Sequence, residues 1–167
     1  MLADFDPTAE EAAVRTVVQN YFDALYDGDV ARFREIFHPS CRLWAVTAGE
    51  VVSFDYEPYM ARVAGRPSSA SRGDAREDEI LSLTVASPTT AHARVRDCYL
   101  PAHFVDELCL LKVAGRWRIV AKTWHAETWQ SPLARSTGRP SACRMRTIRR
   151  SAAPSASSRC WPPRRRG

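Results

Sequence analysis

Apolar residues recur at helical spacing near the start of the chain. Val14, Val17, Val18, Tyr21, Phe22, Leu25 and Tyr26 form one broad stripe, the pattern of a helix with one buried face. Thr8 with Glu11 three residues on reads as a capping box that opens this helix, and Gly28 after Asp27 closes it. Asp29 then caps a shorter helix bearing Val30, Phe33, Ile36 and Phe37. His38-Pro39 ends it, because the residue before a proline avoids the helical region. From there the period falls toward two. Residues 41–46 and 50–54 read as strands around Thr47-Ala48-Gly49, and a third helix follows Asp55 with Tyr56, Tyr59, Met60 and Val63 on one side. Residues 65–75 form a polar loop, and strands are predicted over 79–86 and 90–100.

The stretch 104–125, FVDELCLLKVAGRWRIVAKTWH, organises the rest. It reads as a hairpin turning at Ala114-Gly115, where glycine accepts a positive φ. Folding there sets Lys112 opposite Trp117, Leu110 opposite Ile119, Leu108 opposite Ala121, Asp106 opposite Thr123 and Phe104 opposite His125. The other face then holds Leu111 with Arg118, Cys109 with Val120, Glu107 with Lys122 and Val105 with Trp124. The first face is apolar in its middle and polar at its far end, as the mouth of a pocket is. In strand 90–100, Ala91, Ala93, Val95, Asp97 and Tyr99 share a face, and His92, Arg94, Arg96, Cys98 and Leu100 share the other. Two arginines are costly in a core, so the Ala/Val face joins the apolar face of the hairpin. One register sets Asp97 by Asp106 and Tyr99 by Phe104; a shift of two residues keeps the faces and changes the neighbours.

Either register gathers Asp97, Asp106, Thr123 and His125 on the inner side. Two carboxylates close together in a partly dry cavity do not both ionise easily, so one is expected to hold a proton near neutral pH. With an imidazole nearby, such a set can move a proton to or from carbon or oxygen. The competing reading makes Asp97 a bulge residue, Asp106 a hydrogen-bond acceptor and His125 a solvated strand end. His38 reads as a helix-end residue. Tyr21, Tyr26, Trp44 and Tyr59 are core, interface or ligand-binding aromatics, and buried tyrosine hydroxyls need partners. Trp124, Val105, Cys109 and Val120 read as an outer patch for a second copy, rimmed by Glu107, Lys122 and Arg118.

Charge divides the chain. Residues 130–167 hold ten arginines and no acid, whereas residues 1–129 hold 14 Lys+Arg against 19 Asp+Glu, so a body at −5 and a tail at +10 give the net +5. The acidic body argues against a nucleic-acid surface there. The tail, rich in Arg, Pro, Ser and Ala, is expected to be disordered. It is either a nonfunctional extension or a basic arm for nucleic acid or an acidic partner. Five cysteines, an odd number, and an acidic start with no secretory signal point to reduced thiols and a cytoplasmic location. No apolar run reaches the roughly 20 residues of a membrane span. The four histidines lack a metal spacing and no phosphate-binding Gly loop is present, so neither a metal nor a cofactor is expected.

YFDALYDGDVARFREIFHPSCRLW, the Gly turn, DYEPYMARV and the closing hairpin together resemble the nuclear transport factor 2-like superfamily. The nearest likeness is to its SnoaL-like, lumazine-binding-like branch. The resemblance spans about residues 9–127, and its most specific parts are Asp27-Gly28-Asp29, Phe37-His38-Pro39 and Gly115 to Val120. It implies an α+β cone, a curved, antiparallel or mixed sheet wrapped around a long N-terminal helix with a cavity at the open end. It also implies dimers through the outer sheet face. Members include isomerases, dehydratases, cyclases and hydrolases as well as noncatalytic binders, so the fold carries over and the activity does not.

The expectation is therefore an arm over 1–7, one cone-shaped domain over 8–128 and a tail over 129–167. The function expected is a small-molecule pocket with cofactor-independent acid/base chemistry on a hydrophobic, oxygenated substrate. The alternative is a noncatalytic ligand-binding or dimerisation module. The expected catalytic residues are Asp97, Asp106 and His125, and the ligand contacts Tyr21, Tyr26, Trp44, Tyr59, Tyr99, Phe104 and Thr123.

Overall fold

The computed structural model describes residues 5–127. The expected arm over residues 1–7 and the tail from 129 fall wholly or largely outside those residues. Helix α1 runs Pro7–Asp27 and α2 Val30–Ile36; strands β1 (Phe37–Thr47) and β2 (Glu50–Asp55) follow. After α3 (Tyr56–Ala64) and the single turn α4 (Ser69–Arg72) come β3 (Glu79–Ser87), β4 (Thr90–Tyr99), β5 (Ala102–Val113) and β6 (Arg116–Glu127). The six strands form one curved, unclosed sheet in the order β2-β1-β6-β5-β4-β3. Every pairing is antiparallel except β1 with β6, which is parallel.

Helix α1 begins two residues earlier than its capping box suggests. Asp6 is the cap, and its carboxylate accepts from the amides of Thr8 and Ala9. Pro7 fits the first helical position, where a missing N–H costs nothing. The predicted stripe is the buried one: Val14, Val18, Tyr21 and Phe22 are in the core, with Val17 and Leu25 partly buried against it. Glu10 ties the start of this helix to the hairpin, accepting from Lys112 Nζ at 2.5 Å and from Trp117 Nε1 at 2.7 Å. His38-Pro39 lies inside β1, just past the end of α2, and the His38 ring meets Ser40 Oγ at 2.6 Å instead of capping α2.

Gly28 is the joint between α1 and α2. Its φ of 67° is left-handed, and a Cβ there would stand 3.0 Å from Ser68 Cβ. Gly28→Ala is therefore expected to destabilise the protein by about 1–2 kcal/mol, read as a lower denaturant midpoint with unchanged slope.

The hairpin register holds near its turn and then changes. Leu110 pairs with Ile119, as expected, but Cys109 pairs with Ala121, so β6 carries one extra residue, Val120. Such a bulge leaves one residue unpaired and reverses the alternation beyond it. The expected partners of Leu108, Asp106 and Phe104 are accordingly replaced by Lys122, Trp124 and Ala126. In β4 the register shifted by two is the one found: Val95 lies opposite Asp106 and Asp97 opposite Phe104.

Candidate functional site

An aromatic base supports the site. Tyr21, Phe33, Phe37 and Tyr59 meet edge-on or tilted, with ring centroids from 5.5 Å (Phe33 to Phe37) to 6.1 Å (Tyr21 to Phe37). Above it a cavity of about 80 Å³ is lined by Leu25, Phe54, Tyr59, Arg62, Arg66, Asp97, Tyr99, Phe104, Lys122 and Trp124. One wall is the segment following α3. Tyr99 donates its hydroxyl to the Pro67 carbonyl at 2.9 Å, and the guanidinium of Arg66 lies 4.1 Å from the centre of its ring.

Beneath the cavity sits a closed polar triangle. Tyr21 donates to Asp106 Oδ2, Lys122 Nζ donates to the Tyr21 oxygen at 2.5 Å, and the same ammonium lies 2.5 Å from Asp106 Oδ2. Asp106 is wholly buried and Lys122 nearly so. A charge in such a place must be paired to persist. Burial pulls the Lys122 ammonium down, but the charge of Asp106, the influence of Tyr59 and Asp97, and the hydrogen bond to Asp106 together outweigh it and hold the group above the ordinary lysine range. Burial likewise pushes the Tyr21 phenol well above its usual value, and Asp106 adds to the push. Two of the three ammonium hydrogens are used on Tyr21 and Asp106, which leaves one for the cavity that Lys122 lines.

Asp97 is the second polar feature. Burial, and then the charge of Asp106, raises its carboxyl well above the ordinary range against an opposing pull from Lys122. It is only 4% exposed and lines the cavity, and a side-chain hydrogen bond with Asp106 adds to the rise. A carboxyl that holds its proton more tightly than usual and an ammonium, both lining one small cavity, are the groups a ligand oxygen would meet there. On losing its proton, a carboxyl with a raised pKa is also a stronger base than an ordinary one. Cys41 adds nothing here, since burial pushes its thiol up to about 12.

Several expected site residues stand elsewhere. Thr123 and His125 are exposed, His125 opposite Val105, because the Val120 bulge turns them to the outer side. The same reversal takes Trp124 out of the expected dimer patch and into the cavity wall, and it takes Lys122 off the rim of that patch. Trp44 is 36% exposed on β1. Tyr26 donates to the Asp74 carbonyl at 3.0 Å, away from the cavity lining. Tyr59, Tyr99 and Phe104 do line the cavity, while Tyr21 reaches it only through Lys122.

The comparisons with known proteins agree with this architecture. Residues 9–125 match the family described as "Putative lumazine-binding". The chain belongs to this family. Among solved structures, this lumazine-binding family chain is similar to a nuclear transport factor 2-like protein of unknown function from Silicibacter pomeroyi DSS-3. That match has 21% identity and a TM-score of 0.62 over 74% of this chain and 100% of the other. A nuclear transport factor 2-like protein of unknown function from Shewanella baltica OS155 matches at 19% identity and a TM-score of 0.68, over 75% and 100%. A ketosteroid isomerase-like protein from Erwinia carotovora atroseptica SCRI1043 matches at 14% identity and a TM-score of 0.52, over 70% and 95%. At these identities the likeness is one of fold. No curated protein matches the chain.

Sequence reasoning did not reach Lys122, Arg62 or Arg66 in this family member. For Lys122 a signal was present: Ile119-Val120 is a pair of consecutive aliphatics, and Val120, Lys122 and Trp124 share a parity that Ile119 does not. A buried Asp106 also demands a cation, and Lys122 is the lysine within β6.

Proposed function

We propose that this protein binds a small oxygenated molecule in the cavity and exchanges a proton with it through Asp97, with Lys122 holding the oxygen. The observation that carries the reading is the buried Asp97 carboxyl, raised by burial and by Asp106, at a cavity wall that also carries the Lys122 ammonium. The proton balance is simple. A C–H bond next to a carbonyl breaks, its electron pair moves to the carbonyl oxygen, Lys122 stabilises that oxyanion, and the Asp97 carboxylate takes the proton. Returning the proton to another carbon isomerises the molecule; expelling a neighbouring hydroxyl protonated by Asp97 dehydrates it. Asp106 and Tyr21 act by holding Lys122 in place.

The family description supports small-molecule binding and names lumazine. At about 80 Å³ the cavity is smaller than the roughly 150 Å³ that encloses a benzene ring. A bicyclic lumazine would therefore enter by one edge only. A noncatalytic binder is the second reading, favoured by Asp97 being the one carboxyl lining the cavity among the described residues. The apolar side chains exposed at Trp44, Val46, Val51, Leu111 and Val113 support pairing of two copies of the chain. No helix among the described residues is long and apolar enough to cross a membrane.

The test is deuterium exchange into the α-positions of cyclopent-2-enone and 4-oxopentanoate in D2O, followed by proton NMR. The wild-type protein is expected to accelerate exchange, more so as pH rises through the Asp97 titration. Asp97→Asn should lose the acceleration by about 10²–10⁴-fold while still shifting ligand resonances. Binding without any acceleration in the wild type would leave the noncatalytic reading standing alone.

A further inference from the structure

Resting on that reading of the cavity, we infer that Tyr59 is the second hydrogen-bond donor to the ligand oxygen that Lys122 holds, and that this oxygen is the carbonyl of an enolisable ketone.

The tyrosine hydroxyls point to it. The chain has five tyrosines, and four of them use the hydroxyl on another part of the protein. Tyr21 donates to Asp106, Tyr26 to the Asp74 carbonyl and Tyr99 to the Pro67 carbonyl. Tyr56 shares a hydrogen bond with Arg34. The Tyr59 hydroxyl has no hydrogen-bond partner among the described residues, yet Tyr59 is only 8% exposed and lines the cavity. A hydroxyl withdrawn from water and left unpaired is unfavourable, and a ligand acceptor in the cavity would relieve it.

Packing fixes where that hydroxyl stands. Tyr59 lies on the buried face of α3 with Tyr56, Met60 and Val63. Its ring centroid is 6.0 Å from that of Phe33, with the planes at 78°, and 6.0 Å from that of Phe37. The ring is therefore oriented by its neighbours and not by a bond to its oxygen, as a preorganised donor requires. Burial pushes the phenol above its ordinary range, so it keeps its hydrogen at neutral pH.

Lys122 faces the same cavity from β6. The two groups are near enough for each to bear on the other's ionisation, but the ammonium is bonded to Tyr21 and Asp106 instead. Each has one hydrogen for a ligand. A carbonyl oxygen accepts two hydrogens near the plane of its substituents, one on each lone pair, and so suits a pair of donors supplied by two different elements. Leu25, Phe54, Phe104 and Trp124 offer apolar surface for the carbons of a ketone. When the C–H bond beside the carbonyl breaks, its electron pair moves to the oxygen and its proton to Asp97. The growing negative charge then meets both hydrogens. Donors already in place for that charge raise the rate more than they tighten binding.

The experiment uses Tyr59→Phe, which keeps the ring against Phe33 and Phe37, and cyclopent-2-enone labelled with carbon-13 at its carbonyl. The bound carbonyl resonance is expected downfield of the free one in the full-length wild type. Tyr59→Phe should reduce that displacement, weaken binding about 2–10-fold and slow deuterium exchange about 10²–10³-fold. The denaturant midpoint should not fall, since no bond within the protein is lost. Tyr26→Phe removes a hydroxyl outside the cavity lining and should leave the carbonyl resonance at its wild-type position. An unchanged displacement in Tyr59→Phe, with exchange intact, would overturn the Tyr59 inference and leave the cavity reading standing. So would a clear fall in the midpoint, which would mean that the protein itself uses the hydroxyl. A reduced displacement without any exchange in the wild type would support Tyr59 as a binding donor and overturn the proton-exchange reading. Absence of any carbonyl displacement or amide shift at cavity residues in the wild type would overturn both.

Discussion

Lys122→Met is expected to lower the unfolding free energy by about 3–5 kcal/mol, the loss that follows when one partner of a buried ion pair is removed. The mechanism is specific. Asp106 is wholly buried, and its Oδ2 is held by Tyr21 and Lys122. Without the ammonium, the carboxylate must either stay charged in a dry interior or take up a proton. Lys122→Met with Asp106→Leu should recover most of the loss, because replacing both members of such a pair with apolar groups is often close to neutral. Urea denaturation of the two variants against wild type reads both numbers. A cost of the single substitution below about 1 kcal/mol, typical of a solvent-exposed pair, would mean that water reaches the triangle.

Asp97→Asn is expected to act in the opposite direction at neutral pH, making the protein more stable. The sign follows from linkage. Asp97 has a folded pKa well above its ordinary value, so over the interval between the two the folded state holds a proton that the unfolded state has lost. Stability is then full below about pH 4, the unfolded carboxylate range, and falls by about 1.4 kcal/mol per pH unit until Asp97 ionises in the folded state. Asparagine removes that slope. Carboxylates lowered by their partners, such as Glu10, Asp23 and Glu57, lose stability as pH falls through their folded pKa values. They do so equally in both proteins and cancel in the difference. Denaturant unfolding at a series of pH values from 3.5 to 8 should therefore show two curves that meet at the acid end and separate as pH rises. Parallel curves would mean that Asp97 titrates normally. The more stable variant is also the one expected to lose proton exchange, so stability and activity would part at this residue.

The fold was legible because its signals are local and repetitive. The α1 stripe, Gly28 as the joint, Asp29 as the α2 cap and the turn at Ala114-Gly115 each follow from one backbone requirement, and each lies where the pattern placed it. Strand 90–99 showed its inner face through Ala91, Ala93, Val95 and Asp97, because two outward arginines left no other choice. The site was legible only on the strands that keep their alternation. Asp97 and Asp106 are inward on β4 and β5. On β6 a single unpaired residue, Val120, exchanged Thr123 and His125 for Lys122 and Trp124. A period-two argument carries a bulge as an error of one, and an error of one inverts every side chain after it. Arg62 and Arg66 were hidden for another reason. They reach the cavity from the helix and loop beyond β2, and no pattern within 56–75 says which strand that segment covers.

The central claim is that Asp97 keeps a proton in the folded protein beside the Lys122 ammonium. Its most direct test is the carboxyl-carbon NMR titration of Asp97 in the full-length protein, assigned by its disappearance in Asp97→Asn. The account predicts a midpoint well above the roughly pH 4 of an ordinary aspartate. A midpoint near pH 4 would place an ordinary carboxylate in the cavity wall and contradict it.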